Sequence, residues 1–189
     1  MRPALILSLL LVSGAAFAAP PKAAPKPVDK RPEIEKLFSQ LAKAESAEEA
    51  HPIEARIEAR FRVSGSPSVD LLMTRAAAAQ AAQDAKTARK LVEAVTAIAP
   101  GYAEGWHVRA GLESADDDDT AALISLQKAV LLNPRNFNAL SELGDMLESY
   151  GDKAGALKLY RRALALDPQL DGAARHLKAL TTSVEGRDI

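Results

Sequence analysis

The sequence predicts an all-α fold, an α-solenoid of about three stacked helix pairs, and three observations carry that prediction. Pro100, Pro134 and Pro168 stand 34 residues apart. Small residues recur in the same phase, with Ala88, Ala122 and Ala156 at one position and Ala76, Ala110 and Gly144 at another. The chain is 48 % hydrophobic, much of it alanine, with 4 % aromatics and no β-branched run, which reads as helical. A fixed period of roughly 20–50 residues marks stacked repeats, each burying its apolar face against its neighbours.

Placing the prolines at position 32 of each repeat gives units 69–102, 103–136 and 137–170. Position 4 is then large and apolar (Leu72, Trp106, Leu140), as are position 24 (Val92, Leu126, Tyr160) and position 30 (Ile98, Leu132, Leu166). The small residues at positions 8 and 20 mark where the two helices of a unit press together. The residue before each proline is pushed out of the α region, so the second helix of each unit stops there.

In the third unit, Leu140, Leu143, Gly144 and Leu147, then Ala156, Tyr160 and Pro168, follow the spacing W-x2-L-G-x2-Y…A-x3-F…P with conservative swaps. This stretch resembles a tetratricopeptide repeat (TPR), and the resemblance extends over about residues 68–180. The first two units depart from it. Arg75 and Arg109 replace the large apolar residue at position 7, and position 11 reads Ala79, Glu113 and Leu147. The two arginines are expected either to snorkel or to pair between repeats with Glu93 or Glu104.

In chain order, residues 1–18 read as a signal peptide. Arg2 is the charged start, residues 4–12 the apolar core, and Ala16, Phe17 and Ala18 the cleavage site. The apolar run is shorter than the roughly 20 residues a membrane span takes. No cysteine follows to carry a lipid anchor, so the expected location is periplasmic or secreted, with no span left after cleavage. Residues 19–32, rich in proline and lysine, read as a disordered linker.

Residues 33–66 read as a divergent helix pair that caps the array. Ile34, Leu37, Phe38 and Leu41 form one stripe, and Ile53, Ile57 and Phe61 the next. Ser46 and Glu49 have the spacing of a capping box. Pro52 is expected to kink or restart the second helix. The repeat domain spans 67–180, with Ser68 expected as the first N-cap and Gly151 as a left-handed turn. Residues 171–180 read as a capping helix with Ala174, Leu177 and Leu180 inward, and 181–189 as a polar tail.

The composition excludes several kinds of chemistry. There is no cysteine, hence no disulfide, zinc thiolate or thiol nucleophile. A net charge of −1 with interspersed signs gives no footprint for nucleic acid. The run Asp116, Asp117, Asp118 and Asp119 lacks the glycine and glutamate of a calcium loop, with Ala121 and Gln127 in their places, and reads as an acidic turn. His51, His107 and His176 are too far apart to read as metal ligands. No catalytic or phosphate-binding motif is present. The expectation is a protein that is not an enzyme and takes no cofactor or metal.

The resemblance implies that the first helices line a concave groove and that positions 2, 5, 9 and 12 face it. Here these are Asp70, Met73, Ala77 and Gln80; Glu104, His107, Gly111 and Ser114; and Asn138, Ser141, Asp145 and Glu148. The lysine, asparagine and arginine set of the TPR carboxylate clamp is missing. The groove is mildly acidic and suits a protein or peptide partner that presents a basic or neutral extended segment. The resulting expectation is a periplasmic adaptor. The alternatives are a self-associating structural protein and an accessory subunit of a cell-envelope enzyme.

Overall fold

The computed structural model describes residues 31–184, and every secondary-structure element among them is an α-helix. They run α1 (Arg31–Leu41), α2 (Ala47–Phe61), α3 (Pro67–Ala81), α4 (Ala85–Ile98), α5 (Ala103–Ala115), α6 (Asp119–Leu132), α7 (Phe137–Ser149), α8 (Lys153–Leu166) and α9 (Asp171–Val184). The expected signal peptide, the linker up to residue 30 and the tail from residue 185 lie outside the described residues.

The three repeats are the pairs α3–α4, α5–α6 and α7–α8, and they close through one repeated turn. Gln83, Asp117 and Gly151 take the left-handed backbone with φ of 58°, 60° and 85°. The next residue in each, Asp84, Asp118 or Asp152, is the N-cap of the second helix. Its carboxylate accepts from the backbone N–H of Thr87 (3.0 Å), Ala121 (3.1 Å) or Gly155 (2.8 Å). Its own N–H reaches back to the carbonyl of Ala79, Glu113 or Leu147 at 2.8–2.9 Å. The four aspartates thus have separate tasks. Asp116 ends α5 and pairs with Arg89 of α4, Asp117 turns the chain, Asp118 caps α6 and Asp119 opens it.

The small residues sit where the period places them. Ala76, Ala110, Ala88, Ala122 and Ala156 are buried. A Cβ at Gly144 would lie 2.8 Å from the Tyr160 ring. Val92, Leu126 and Tyr160 fill position 24. Position 30 is less faithful, since Ile98 is exposed while Val95 and Thr96 are buried instead.

Local expectations need four corrections. Ser66, not Ser68, is the N-cap of α3, because Pro67 takes the first helical position, where its missing N–H costs nothing. Pro52 does not restart α2, which runs unbroken from Ala47. The ring removes the single bond to Glu48, and the capping by Ser46 and Glu49 still holds the first turn. Arg31 and Pro32 belong to α1 rather than to the linker. In α9 the inward stripe is Ala173, Leu177 and Leu180; Ala174 is exposed.

The largest departure is the placement of α1–α2. A cap would stack end-on against α3 and extend the core of the first unit. Instead Leu37, Phe38, Leu41, Ala50 and Ile57 join one apolar cluster with Leu126, Phe137, Leu140, Leu143, Tyr160 and Leu180. The first unit keeps a separate cluster of Ala76, Ala88, Val92 and Leu112. The hairpin runs along the inter-repeat turns of the whole array. Gln169 Nε2 donates to Ala44 O at one end (2.9 Å), Asn138 Nδ2 donates to Glu58 in the middle (2.9 Å), and Tyr102 Oη donates to Arg62 O at the other end (2.7 Å). Arg135 adds its guanidinium over Phe38 at 3.8 Å and an ion pair with Glu35. Burying Leu37, Phe38, Leu41 and Ile57 contributes roughly 1.5–3 kcal/mol each as an upper bound, so the hairpin is an integral layer of the domain.

Candidate functional site

The helices α3, α5 and α7 carry all twelve predicted groove residues, and the structure gathers most of them into three adjoining cavities. Asp70, Met73, Ala77 and Gln80 line the first, about 460 Å³, together with Val63, Thr74, Tyr102, Glu104, Val108 and Arg62. Its lining is mostly apolar, with two carboxylates, Asp70 and Glu104, at its wall. Asp70 is partly engaged, accepting from Ser64 N (2.9 Å) and Ser64 Oγ (2.6 Å) and so closing the turn into α3.

The second cavity, about 210 Å³, lies between α2, α5 and α7 and is polar. Glu104, His107 and Asn138 were expected there; Glu58, Phe61, Arg62, Asn136 and Glu142 complete it. His107 Nε2 lies 2.9 Å from Glu142 Oε2, and Nδ1 lies 3.6 Å from Glu104 Oε2. Burial alone would lower the imidazole pKa, but the two carboxylates together overcome it and raise it to about 10. The two carboxylates thus favour the protonated ring at neutral pH.

The third cavity, about 300 Å³, holds Gly111, Ser114 and Asp145 with Ala110, Leu126, Glu142 and Met146. Asp145 and Glu148 both face the Tyr160 hydroxyl, at 2.6 and 3.0 Å, and Glu148 also meets His176 Nδ1 at 2.7 Å. Burial and these carboxylates raise the Tyr160 pKa far above its ordinary value. Glu148 and Ser141 line none of the three cavities.

Arg62 and His107 also bring basic groups to this face. One sequence expectation changes here. Arg109 neither stands free nor bridges repeats. Its Nε donates to Glu113 on the same helix (2.7 Å) and its guanidinium sits 5.4 Å from the Trp106 ring, while Glu113 also accepts from Ser125 Oγ of α6 (2.6 Å). Arg75 is exposed.

Sequence reasoning missed Glu58 and Arg62, whose partners Asn138 and Tyr102 lie 80 and 40 residues downstream, and Val63 beside them; none carries a local signal. Glu142 was within reach, since it is four residues after Asn138 and so shares its helix face. Among the described residues, no group of three or more His, Cys, Asp or Glu side chains is placed to hold a metal ion. No described helix is long and apolar enough to cross a membrane.

The comparisons with known proteins agree with this architecture. A family model described as tetratricopeptide repeat matches residues 137–170, the third unit. A TPR repeat-containing protein of Rhizobium etli is 28 % identical over 153 residues, covering 81 % of this chain and 75 % of the relative. These two findings support a tetratricopeptide repeat protein. TPR folds of known structure superpose on it. The first TPR of Spaghetti (RPAP3), bound to an HSP90 peptide, gives a TM-score of 0.57 at 19 % identity, over 62 % of this chain and 94 % of that one. The Yersinia enterocolitica type III secretion chaperone SycD, in complex with a peptide of the translocator YopD, gives 0.56 at 14 % identity, over 62 % and 95 %. At such identities these structures speak for the shared TPR fold alone.

Proposed function

We propose that this TPR protein is a non-catalytic interaction scaffold of the bacterial envelope that holds a segment of a protein partner on the face formed by α3 and α5. The observation that carries this reading is the first cavity. It brings together all four groove residues predicted from the first unit, and its lining is open and apolar between Asp70 and Glu104. That lining suits an apolar side chain on a neutral or positively charged segment. In the other two cavities the charged groups are engaged within the protein, His107 with Glu142 and Asp145 with Tyr160. The peptide complexes of two proteins of the same fold support the general mode. The relative supports a bacterial setting, and the sequence of residues 1–18 supports export to the envelope.

A photocrosslinking side chain at Met73 or Gln80 tests the site. In envelope extract both positions should give the same discrete adduct, and Ile124, which is 60 % exposed on α6, should give none. An adduct from Ile124 alone would move the binding surface elsewhere. The exposure of Ile98, Ile124 and Leu131 favours the second reading, self-association through the second helices. Concentration-dependent mass by light scattering separates the two. Processing at Ala18 in an expressing bacterium, read by N-terminal sequencing, tests the location.

A further inference from the structure

Where α2 meets the end of α8, a polar atom is buried without a hydrogen-bond partner. Asp167 is 0 % exposed. Its Oδ1 accepts from Gln169 N at 3.1 Å, and its Oδ2 has no donor. A buried carboxylate oxygen without a donor is costly, and native structures rarely leave one. The neighbour of Asp167 is the half-buried carboxyl of Glu54 on α2. Two ionised carboxylates repel in such a place, whereas one carboxylic acid and one carboxylate share a hydrogen bond. A proton on Glu54 supplies the donor that Asp167 Oδ2 lacks.

We propose that the Glu54–Asp167 pair is a proton-dependent latch that docks the tip of the α1–α2 hairpin on the α8–α9 turn. The contact beside it has the same span, since Gln169 Nε2 donates to Ala44 O in the α1–α2 loop. Leu41 and Ala50, fully buried on either side of the loop, hold the two helices by apolar burial, which does not titrate. Loss of the proton therefore frees the loop at Ala44 and the α8–α9 turn from each other while the helices stay packed, uncovering Asp167 and Gln169 at the end of the third repeat. The other charged groups at the pair are His51 and Glu58, both on α2. Burial, then the charge of Asp167, raises the Glu54 pKa from 4.5 to about 7, which sets the range in which the latch works. A raised carboxyl stabilises the docked tip fully below the unfolded pKa and loses that effect as pH rises through the folded one.

The chain has no cysteine, so a pair of spin labels can be placed at Lys43→Cys and Asp171→Cys, both exposed and on opposite sides of the contact. The distance distribution should be narrow at about pH 5 and broader or longer at about pH 9, either side of the ordinary and raised values. Glu54→Gln keeps a donor that does not titrate and should stay narrow at both. Asp167→Asn supplies the donor from the other side and should also lose the pH response, so either variant serves if the other fails to fold. His51→Asn should keep the response. An unchanged wild-type distribution, a response that survives in the Glu54 and Asp167 variants, or one that disappears with His51 would overturn the proposal.

Discussion

Gly144 of α7 and Tyr160 of α8 touch so closely that a methyl group on Gly144 would lie 2.8 Å from Tyr160 Cε1. The ring is fully buried and is also held by Asp145 and Glu148, so it has little room to yield. Gly144→Ala gains about 1 kcal/mol of helix propensity but incurs overpacking of about 1–3 kcal/mol, and should be net destabilising. Gly111, one repeat position further on in α5, meets nothing within 4 Å. Gly111→Ala should therefore be stabilising, by roughly 0.5–1 kcal/mol. Urea denaturation of the two variants gives the opposite signs; a shared sign would mean that the α7–α8 approach is looser than described.

Ala156 is fully buried in the same helix pair. Ala156→Leu has no propensity gain to set against the added volume and should destabilise by at least about 1–3 kcal/mol. An unchanged melting temperature would show that position 20 is not at the helix–helix contact.

The repeat units were legible because three kinds of residue recur in one phase, and each has a steric reason to do so. Proline ends the second helix, alanine or glycine lets the helices approach, and a large side chain fills the gap. The turn signal was also there, in Asp84, Asp118 and Asp152, but it is obscured by the aspartates on either side of Asp118. The hairpin was legible as two amphipathic helices and illegible in its placement. Periodicity shows that Leu37, Leu41 and Ile57 share an inward face, but not which repeat supplies the other side. That is decided by contacts such as Asn138 with Glu58 and Gln169 with Ala44, between residues 80 and 125 apart. The same long-range placement put Arg62 and Val63 into the candidate site, so its wall could not be completed from the repeat alone.

The four aspartates of the α5–α6 turn should respond differently to substitution. Asp118→Ala removes the N-cap of α6 and should cost about 0.5–2 kcal/mol. Asp117→Gly relieves a left-handed residue with φ 60° and should be neutral or stabilising. Asp116→Asn weakens a largely exposed pair with Arg89 and should cost no more than about 1 kcal/mol. Thermal denaturation of the three single variants checks the order, and equal effects would contradict the separate roles.

His107 carries a pH dependence with a definite sign. Its pKa is raised in the folded state from 6.5 to about 10 by Glu104 and Glu142. The stabilisation is fully present below the unfolded value and is lost as pH rises through the folded one. The wild-type urea midpoint should therefore fall between about pH 6.5 and about pH 10 by more than that of His107→Gln. Histidine ring NMR shifts give the direct check: one imidazole should remain protonated at about pH 8, where an ordinary histidine has lost its proton.

The placement of the hairpin makes a prediction that a stacked cap would not. Ile57 is fully buried in the cluster shared with α6, α7, α8 and α9, while the cluster of the first unit contains no residue of α1 or α2. Ile57→Ala should cost about 2–5 kcal/mol, the range for removing a large side chain from a core that cannot fully close. The loss should be felt first where the cavity opens. Amide hydrogen exchange should rise in α7 and α8 before it rises in α3 and α4, although α3 follows α2 directly in the chain. If the hairpin instead capped the first unit, α3 and α4 would lose protection first and α7 would be spared. The two outcomes read from one exchange experiment, because the four helices fall on different peptides. Protection lost first in α3 would remove the hairpin from the core of the second and third repeats.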